Sequence, residues 1–161
     1  MSHWRDLISA RHDPLLRLNW DIASLYTPAG SIGKEYVEEL SLPLPKFDSD
    51  SAVFKSRKYY WAKFEDYGVM TIKFYEDQNL TVTKWLRAWQ GKIKTPNGNY
   101  NAPKKYKGIF VVNAVDAIGA VQATFTLHGV FPTQVPSIPF GSTGEAVTLD
   151  VEFSVDSQEM S

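Results

Sequence analysis

Hydrophobic and polar residues alternate without a lapse from Val147 to Val155: Val147, Leu149, Val151, Phe153 and Val155 fall on one side, Thr148, Asp150, Glu152 and Ser154 on the other. A period of two marks a strand with one buried face. The same pattern sets Val121, Ala123, Phe125, Leu127 and Gly129 against Gln122, Thr124, Thr126 and His128, and between Gly68 and Tyr75 it turns Met70, Ile72 and Phe74 inward with Thr71, Lys73 and Tyr75 outward. Leu16, Leu18, Trp20 and Ile22 predict a further half-buried strand over 15–25, and YVEELSL predicts another over 36–42, stopped by Pro43 and Pro45. Tyr106 to Asn113 is apolar on both faces and predicts a central strand.

A different period governs 80–90. Val82, Trp85, Leu86 and Trp89 recur at i, i+3, i+4 and i+7, which predicts one amphipathic helix with Asp77 or Asn79 as its cap and Gly91 as its end. Trp4, Leu7, Ile8 and Arg11 suggest a short helical turn within an N-terminal segment, 1–14. The polar, turn-rich run from Lys92 to Lys107 predicts a long exposed loop. The sum is a single domain, 1–161, mainly β: a sandwich or small barrel with one flanking α-helix.

With 161 residues, 43% of them hydrophobic and 14% aromatic, the chain suffices for one real core and leaves little room for a second. It has no cysteine, so disulfides, thiolate zinc sites and cysteine nucleophiles are excluded together. No apolar run approaches the length of a membrane helix, and acids stand where a signal peptide would be apolar, so synthesis in the cytoplasm without stable membrane insertion is expected. The formal net charge of −1 hides an asymmetry: all 17 Lys and Arg lie at or before Lys107, and the 54 residues after it hold six acids. Opposite charge on two faces suits head-to-tail register between copies.

Chemistry-bearing motifs are missing. Phosphate-cradling glycine loops and nucleophile elbows do not occur, and His3, His12 and His128 have no partners at metal-ligand spacing. His128 falls on the polar face of its strand and is expected at the surface, and the adjacent acids Glu65 and Asp66 are expected to be solvated. Catalytic, cofactor and metal sites are therefore all expected to be none, and the chain is not expected to be an enzyme.

Two stretches remain unexplained by a monomeric core. In VFKSRKYYWAKF (53–64) Phe54, Tyr59, Tyr60 and Trp61 alternate with Lys55, Arg57 and Lys58. That run is an inter-subunit hairpin arm, an ordinary hairpin within the domain, or a stacking platform for single-stranded nucleic acid. In FPTQVPSIPF, Phe131, Val135, Ile138 and Phe140 sit on the prolines Pro132, Pro136 and Pro139, an apolar connector between two of the best strands.

In order, LPLPKFDSDSAVFKSRKYYWAKFEDYGVMTIKFYED, TKWLRAWQGKI and ATFTLHGVFPTQVPSIPFGSTGEAVTLDVEFSVD resemble the tail tube protein of contractile-tailed bacteriophages, over about Leu15 to Asp156. The haemolysin-coregulated secretion protein and pyocin-like tubes share that fold. The resemblance implies hexameric rings whose sheets join into a continuous β-barrel. The rings would stack into a tube inside a sheath, with a baseplate tube initiator and a tape measure protein as partners and genomic DNA passing through unbound, all within a virion. A baseplate tube initiator or a secretion or pyocin-type tube protein fits as well. From another class, so does a monomeric β-barrel module for single-stranded nucleic acid. On the tube reading, Phe54, Lys55, Arg57, Lys58, Tyr59, Tyr60, Trp61, Phe131, Pro132, Val135, Ile138 and Phe140 make inter-subunit contacts, with help from the 92–107 loop. Gln122, Thr124, Thr126, Thr148, Asp150 and Glu152, never basic, are then candidates for the lumen lining.

Overall fold

A computed structural model describes residues 15–161. The expected turn at Trp4 to Arg11, with His3 and His12, lies outside the described residues. Strands β1 (Trp20–Thr27), β2 (Gly30–Ser31), β7 (Gly108–Val115), β8 (Val121–Gln134) and β10 (Ser157–Met160) form one antiparallel layer. Strands β3 (Val37–Ser41), β6 (Val69–Tyr75) and β9 (Thr148–Ser154) form the other, with the far half of β8. The order runs β2-β1-β7-β8-β9-β6-β3, so the sheets stay open: β3 ends the path without pairing to β1 or β2.

The expected alternation appears in β6 and β9: Met70, Ile72, Phe74, Leu149, Val151 and Phe153 are all buried. Elsewhere bulges shift it. The predicted strand over 15–25 begins instead at Trp20, with Leu15, Leu16 and Leu18 exposed before it. A register shift between Ile22 and Ser24 then moves the buried phase from Ile22 to Leu25 and Thr27. One extra residue in a strand flips every side chain after it to the other face.

The longest strand carries a similar shift at Gly129. Its φ of +67° lies in the left-handed region, and the register against β7 slips between His128 and Val130. Burial accordingly passes from Leu127 to Val130. Before this point β8 pairs with β7 and β10, and after it with β9. Gly129 is thus the corner at which one strand leaves the first layer for the second, a place where a glycine bulge is the usual device.

Helix α1 (Thr81–Ile93) closes one end of the sandwich and buries the four expected residues, Val82, Trp85, Leu86 and Trp89. Trp89 is the hub: its ring lies 5.9 Å from Phe110 of the first layer and 5.6 Å from Phe153 of the second, which are themselves 5.3 Å apart. Its indole N–H donates to the Tyr106 carbonyl, and that of Trp85 donates to Gly30 O at 3.2 Å. Edge-to-face and tilted ring contacts of this kind add to the area each ring buries.

The helix runs through Gly91 to Ile93 rather than ending there. At its start Leu80 adopts a left-handed φ of 56° and offers no cap. Instead Asp77 accepts from Thr81 N at 2.9 Å, and Glu76, not foreseen, accepts from Val82 N at 3.0 Å and Thr83 N at 2.8 Å. Two carboxylates at the end of β6 thereby satisfy three of the helix's orphan N–H groups.

Candidate assembly interface

Two strands stand apart from the sandwich. Among the described residues β4 (Lys46–Phe54) and β5 (Arg57–Asp66) pair only with each other, and every residue on them is exposed except Ser51, which is half-buried. The arm is therefore longer than the 53–64 expected, about 30 Å at a rise of about 3.4 Å per residue. Its two-residue turn places both Lys55 (φ 49°) and Ser56 (φ 62°) in the left-handed region, the backbone of a type I′ hairpin. A two-stranded ribbon is marginal by itself in water, and this one has no layer beneath it.

Register assigns its side chains to faces, because residues directly opposed across an antiparallel pair point the same way. Phe54 opposes Arg57, Ala52 opposes Tyr59 and Asp50 opposes Trp61, all on one face. Phe64, two residues from Asp66 and across a bulge, returns to that face. The other face holds Ser49, Ser51 and Ala62 along its middle, with Val53, Lys58 and Tyr60 toward the tip. The arm thus has a face of four rings, 62%, 49%, 49% and 62% exposed at Phe54, Tyr59, Trp61 and Phe64. Lys55, Arg57, Lys58 and Lys63 lie 5.3 to 6.0 Å from the ring centroids of Phe54, Tyr59, Tyr60 and Phe64.

The sandwich has a second unpartnered feature. Opposite α1, where the layers splay beyond Trp20 and Ala114, the core opens into a trough of about 390 Å³. Leu16, Trp20, Leu40, Leu42, Leu44, Val112, Ala114 and Phe125 line it, and a neighbouring hollow of about 580 Å³ continues it past Asn19 to Asp116. Sequence inspection missed the trough, because Leu40 to Leu44 and Trp20 meet only in the fold. The arm leaves from this same end, between Leu42 and Val69.

The connector is less exposed than its composition suggested. Its first residues, Phe131 to Gln134, belong to β8, and Pro132 is buried. Phe131, Val135 and Ile138 pack against the chain's own core, Phe131 edge-on to Tyr106 at 5.3 Å. Only Phe140, 80% exposed, stands free of it. A continuous apolar patch at 131–140 is thus replaced by a core cover with one protruding ring. The expected loop at 92–107 is ordered by a Lys94–Tyr100 bridge and a 3-10 turn over Pro103–Lys105, and Lys107 pairs with Asp156.

The six lumen candidates divide between two faces. Thr124 and Thr126 lie on the outward side of the first layer, beside Asn113, Val111 and Glu159, while Gln122 donates to Asp116 at 3.0 Å. Thr148, Asp150 and Glu152 lie on the outward side of the second, across from Tyr75, Lys73 and Thr71. Since the inward sides meet at Phe110 and Phe153, these two outward sides point apart. His128, expected at the surface, is half-buried, with Nε2 3.6 Å from Glu159 Oε1 and no hydrogen-bond partner. Among the described residues no three His, Asp or Glu gather as a metal site, and no helix is long and apolar enough to cross a membrane.

The fold of this chain is similar to that of chains in contractile injection systems. A chain in the extended-state sheath/tube terminator of the PVC extracellular contractile injection system superposes with a TM-score of 0.70 at 12% identity, covering 93% of this chain and 98% of that one. A chain in the tube-terminating cap of the anti-feeding prophage gives 0.71 at 11% identity, covering 93% and 92%. A chain in the PVC sheath-tube complex gives 0.67 at 12% identity, covering 92% and 91%. No protein-family model and no curated protein sequence matches the chain. Identity this low speaks for the fold, which agrees with the tail-tube resemblance of the sequence.

Proposed function

We propose that this chain is a non-enzymatic structural protomer of a contractile-tail tube, self-assembling into hexameric rings that stack as the inner conduit of a sheathed, virion-borne tail. The observation that carries the reading is the arm: seven exposed large hydrophobic side chains, Phe47, Val53, Phe54, Tyr59, Tyr60, Trp61 and Phe64, on a ribbon with no partner in its own fold. Apolar surface of this extent on a marginal element suits an intermolecular contact. The shared fold with tube and terminator components supports the class. On this reading Phe140 adds a contact, and the basic 92–107 segment meets a sheath, baseplate initiator or neighbouring ring. Of the two outward faces, that of Thr124 and Thr126 suits a lumen better. It carries no Lys or Arg among Ser24, Val111, Asn113, Thr124 and Thr126, whereas Lys73 sits between Glu39 and Asp150 on the other. DNA must slide past a lining, and phosphate-binding cations would hold it.

Negative-stain electron microscopy with light scattering across a concentration series tests this. Rings or stacked tubes with a central hole are expected, and replacing 46–66 by a short turn is expected to leave a folded monomer. A wild-type chain that stays monomeric at all concentrations overturns the reading. The cations beside the arm's rings favour a second reading, a monomeric module for single-stranded nucleic acid. It predicts salt-sensitive oligonucleotide binding that disappears with the arm.

A further inference from the structure

Among the described residues the arm and the trough are two apolar features without a partner, and they are complementary in size. We infer that the ring-bearing face of one copy's arm, Phe54, Tyr59, Trp61 and Phe64, docks in the open core end of a second copy, against Trp20, Leu40, Leu42 and Leu44. This rests on the self-assembly reading and specifies its contact.

Size supports the match. A large aromatic residue has roughly 150–250 Å² to bury, so four rings about half exposed offer on the order of 450 Å². That is more than half of the roughly 800 Å² per partner of a standard interface. The trough's 390 Å³ suits a few inserted rings and is too open for the layers to close over by themselves. Both surfaces carry charges of both signs at their margins: Arg57 and Asp50 share the ring face, and the ion pair of Arg17 and Glu39, 3.6 Å apart, lies at one lip of the trough, with Asp116 lining its far extension. The other arm face carries Tyr60, Val53 and Phe47 as well, but Ser49, Ser51 and Ala62 separate Phe47 at the root from the other two at the tip, so it offers no continuous row of rings. Because arm and trough are different surfaces, the contact is heterologous, and repeated around a closing rotation it makes a ring.

The absence of cysteine gives a clean background for mapping this contact. One population carries Ala52→Cys, on the ring face but removing no ring. The other carries Leu44→Cys, at the trough's exposed lip. A short bis-maleimide added to the mixed, assembled sample is expected to join them. Ser49→Cys, on the opposite face, is expected to join Leu44→Cys roughly tenfold more slowly, as a non-anchor position would. Separately, Trp61→Ala is expected to raise the concentration for assembly roughly thirtyfold, the effect of losing one hot-spot ring. Equal cross-linking from positions 49 and 52 overturns the inference. So does a doubly substituted Ala52→Cys, Leu44→Cys chain that cross-links within the monomer, since the arm would then fold back on its own trough. Tubes that form without any link from position 52 to 44 overturn the docking and leave the self-assembly reading standing. A chain that neither assembles nor links overturns both.

Discussion

Gly129→Ala probes the corner on which the two layers depend. A left-handed φ costs an L-residue roughly 1–2 kcal/mol. Beyond that, an added Cβ would press on the Asp156 side chain, 2.7 Å from its Cβ and closer still to its carboxylate, which pairs with Lys107. Both partners are partly exposed, at 27% and 50%, so displacing the pair adds only about 0.5–1 kcal/mol. The total is about 1.5–3 kcal/mol, or a melting temperature lower by roughly 3–12 °C for a domain of this size. Gly119→Ala supplies the reference, since φ there is +87° and nothing lies within 4 Å of the new Cβ. It carries the backbone cost alone. Thermal unfolding followed by circular dichroism, at concentrations where scattering shows no assembly, should rank Gly129→Ala below Gly119→Ala by roughly 1–4 °C. In an Asp156→Ala background, where no pair is left to displace, Gly129→Ala should cost only the backbone part. Two glycine variants with indistinguishable melting temperatures would refute the idea that the Asp156 contact constrains the corner.

Trp89→Ala should cost about 3–5 kcal/mol in urea unfolding at unchanged m value, because it empties the junction of helix and both layers, whereas a loss under about 1 kcal/mol would show that the hub is redundant. Trp89→Phe keeps the ring contacts but leaves the Tyr106 carbonyl unpaired, and about 1–3 kcal/mol is expected for that variant. Asp77 is held at about 2, below its ordinary 3.8, chiefly by the Thr81 hydroxyl, then by Thr81 N–H and the Tyr36 hydroxyl. A depressed carboxyl stabilises the fold above its ordinary value and loses that contribution as pH falls from 3.8 toward about 2. Melting temperatures recorded through that window should fall more steeply for the wild type than for Asp77→Asn, and parallel curves would assign the acid sensitivity elsewhere.

Much of the core was legible because its two periods are undisturbed where packing is densest. Met70, Ile72 and Phe74 alternate, Val82, Trp85, Leu86 and Trp89 follow the helical period, and each position is buried in the one core cluster. What escaped was everything set by a bulge or by a distant partner. Leu16 and Leu18 continue the alternation of Trp20 and Ile22 on paper, yet β1 starts only where β7 begins to oppose it, at Ala114. Nothing local marks that boundary. Gly129 ended the predicted alternation, and the phase resumed one residue later through a segment whose prolines suggested a loop. Pro132 is tolerated in β8 although it cannot donate to the ladder. The last strand, β10, is short and polar, so no hydrophobic period announced it. Its Gln158 side chain donates to Pro43 O at 2.9 Å beside the arm's root, a link between residues far apart in sequence.

The arm shows the opposite case, in which composition indicated a role but not an extent. Its basic-aromatic tip stands out in the sequence, while the lower part of the ribbon, KFDSDS, is polar and carries no hydrophobic alternation. Pairing decided the matter: Lys46 meets Asp66 and Phe47 meets Glu65, so the acids that seemed merely to bound the basic run are part of the ribbon itself. Those acids place negative charge at the root and leave Lys55, Arg57 and Lys58 at the tip. An arm with a charge gradient along its length and rings on one face has a preferred direction of insertion as well as a preferred side. That asymmetry is what separates a head-to-tail contact from simple apolar adhesion, because only one end of the arm presents its cluster of cations to a partner.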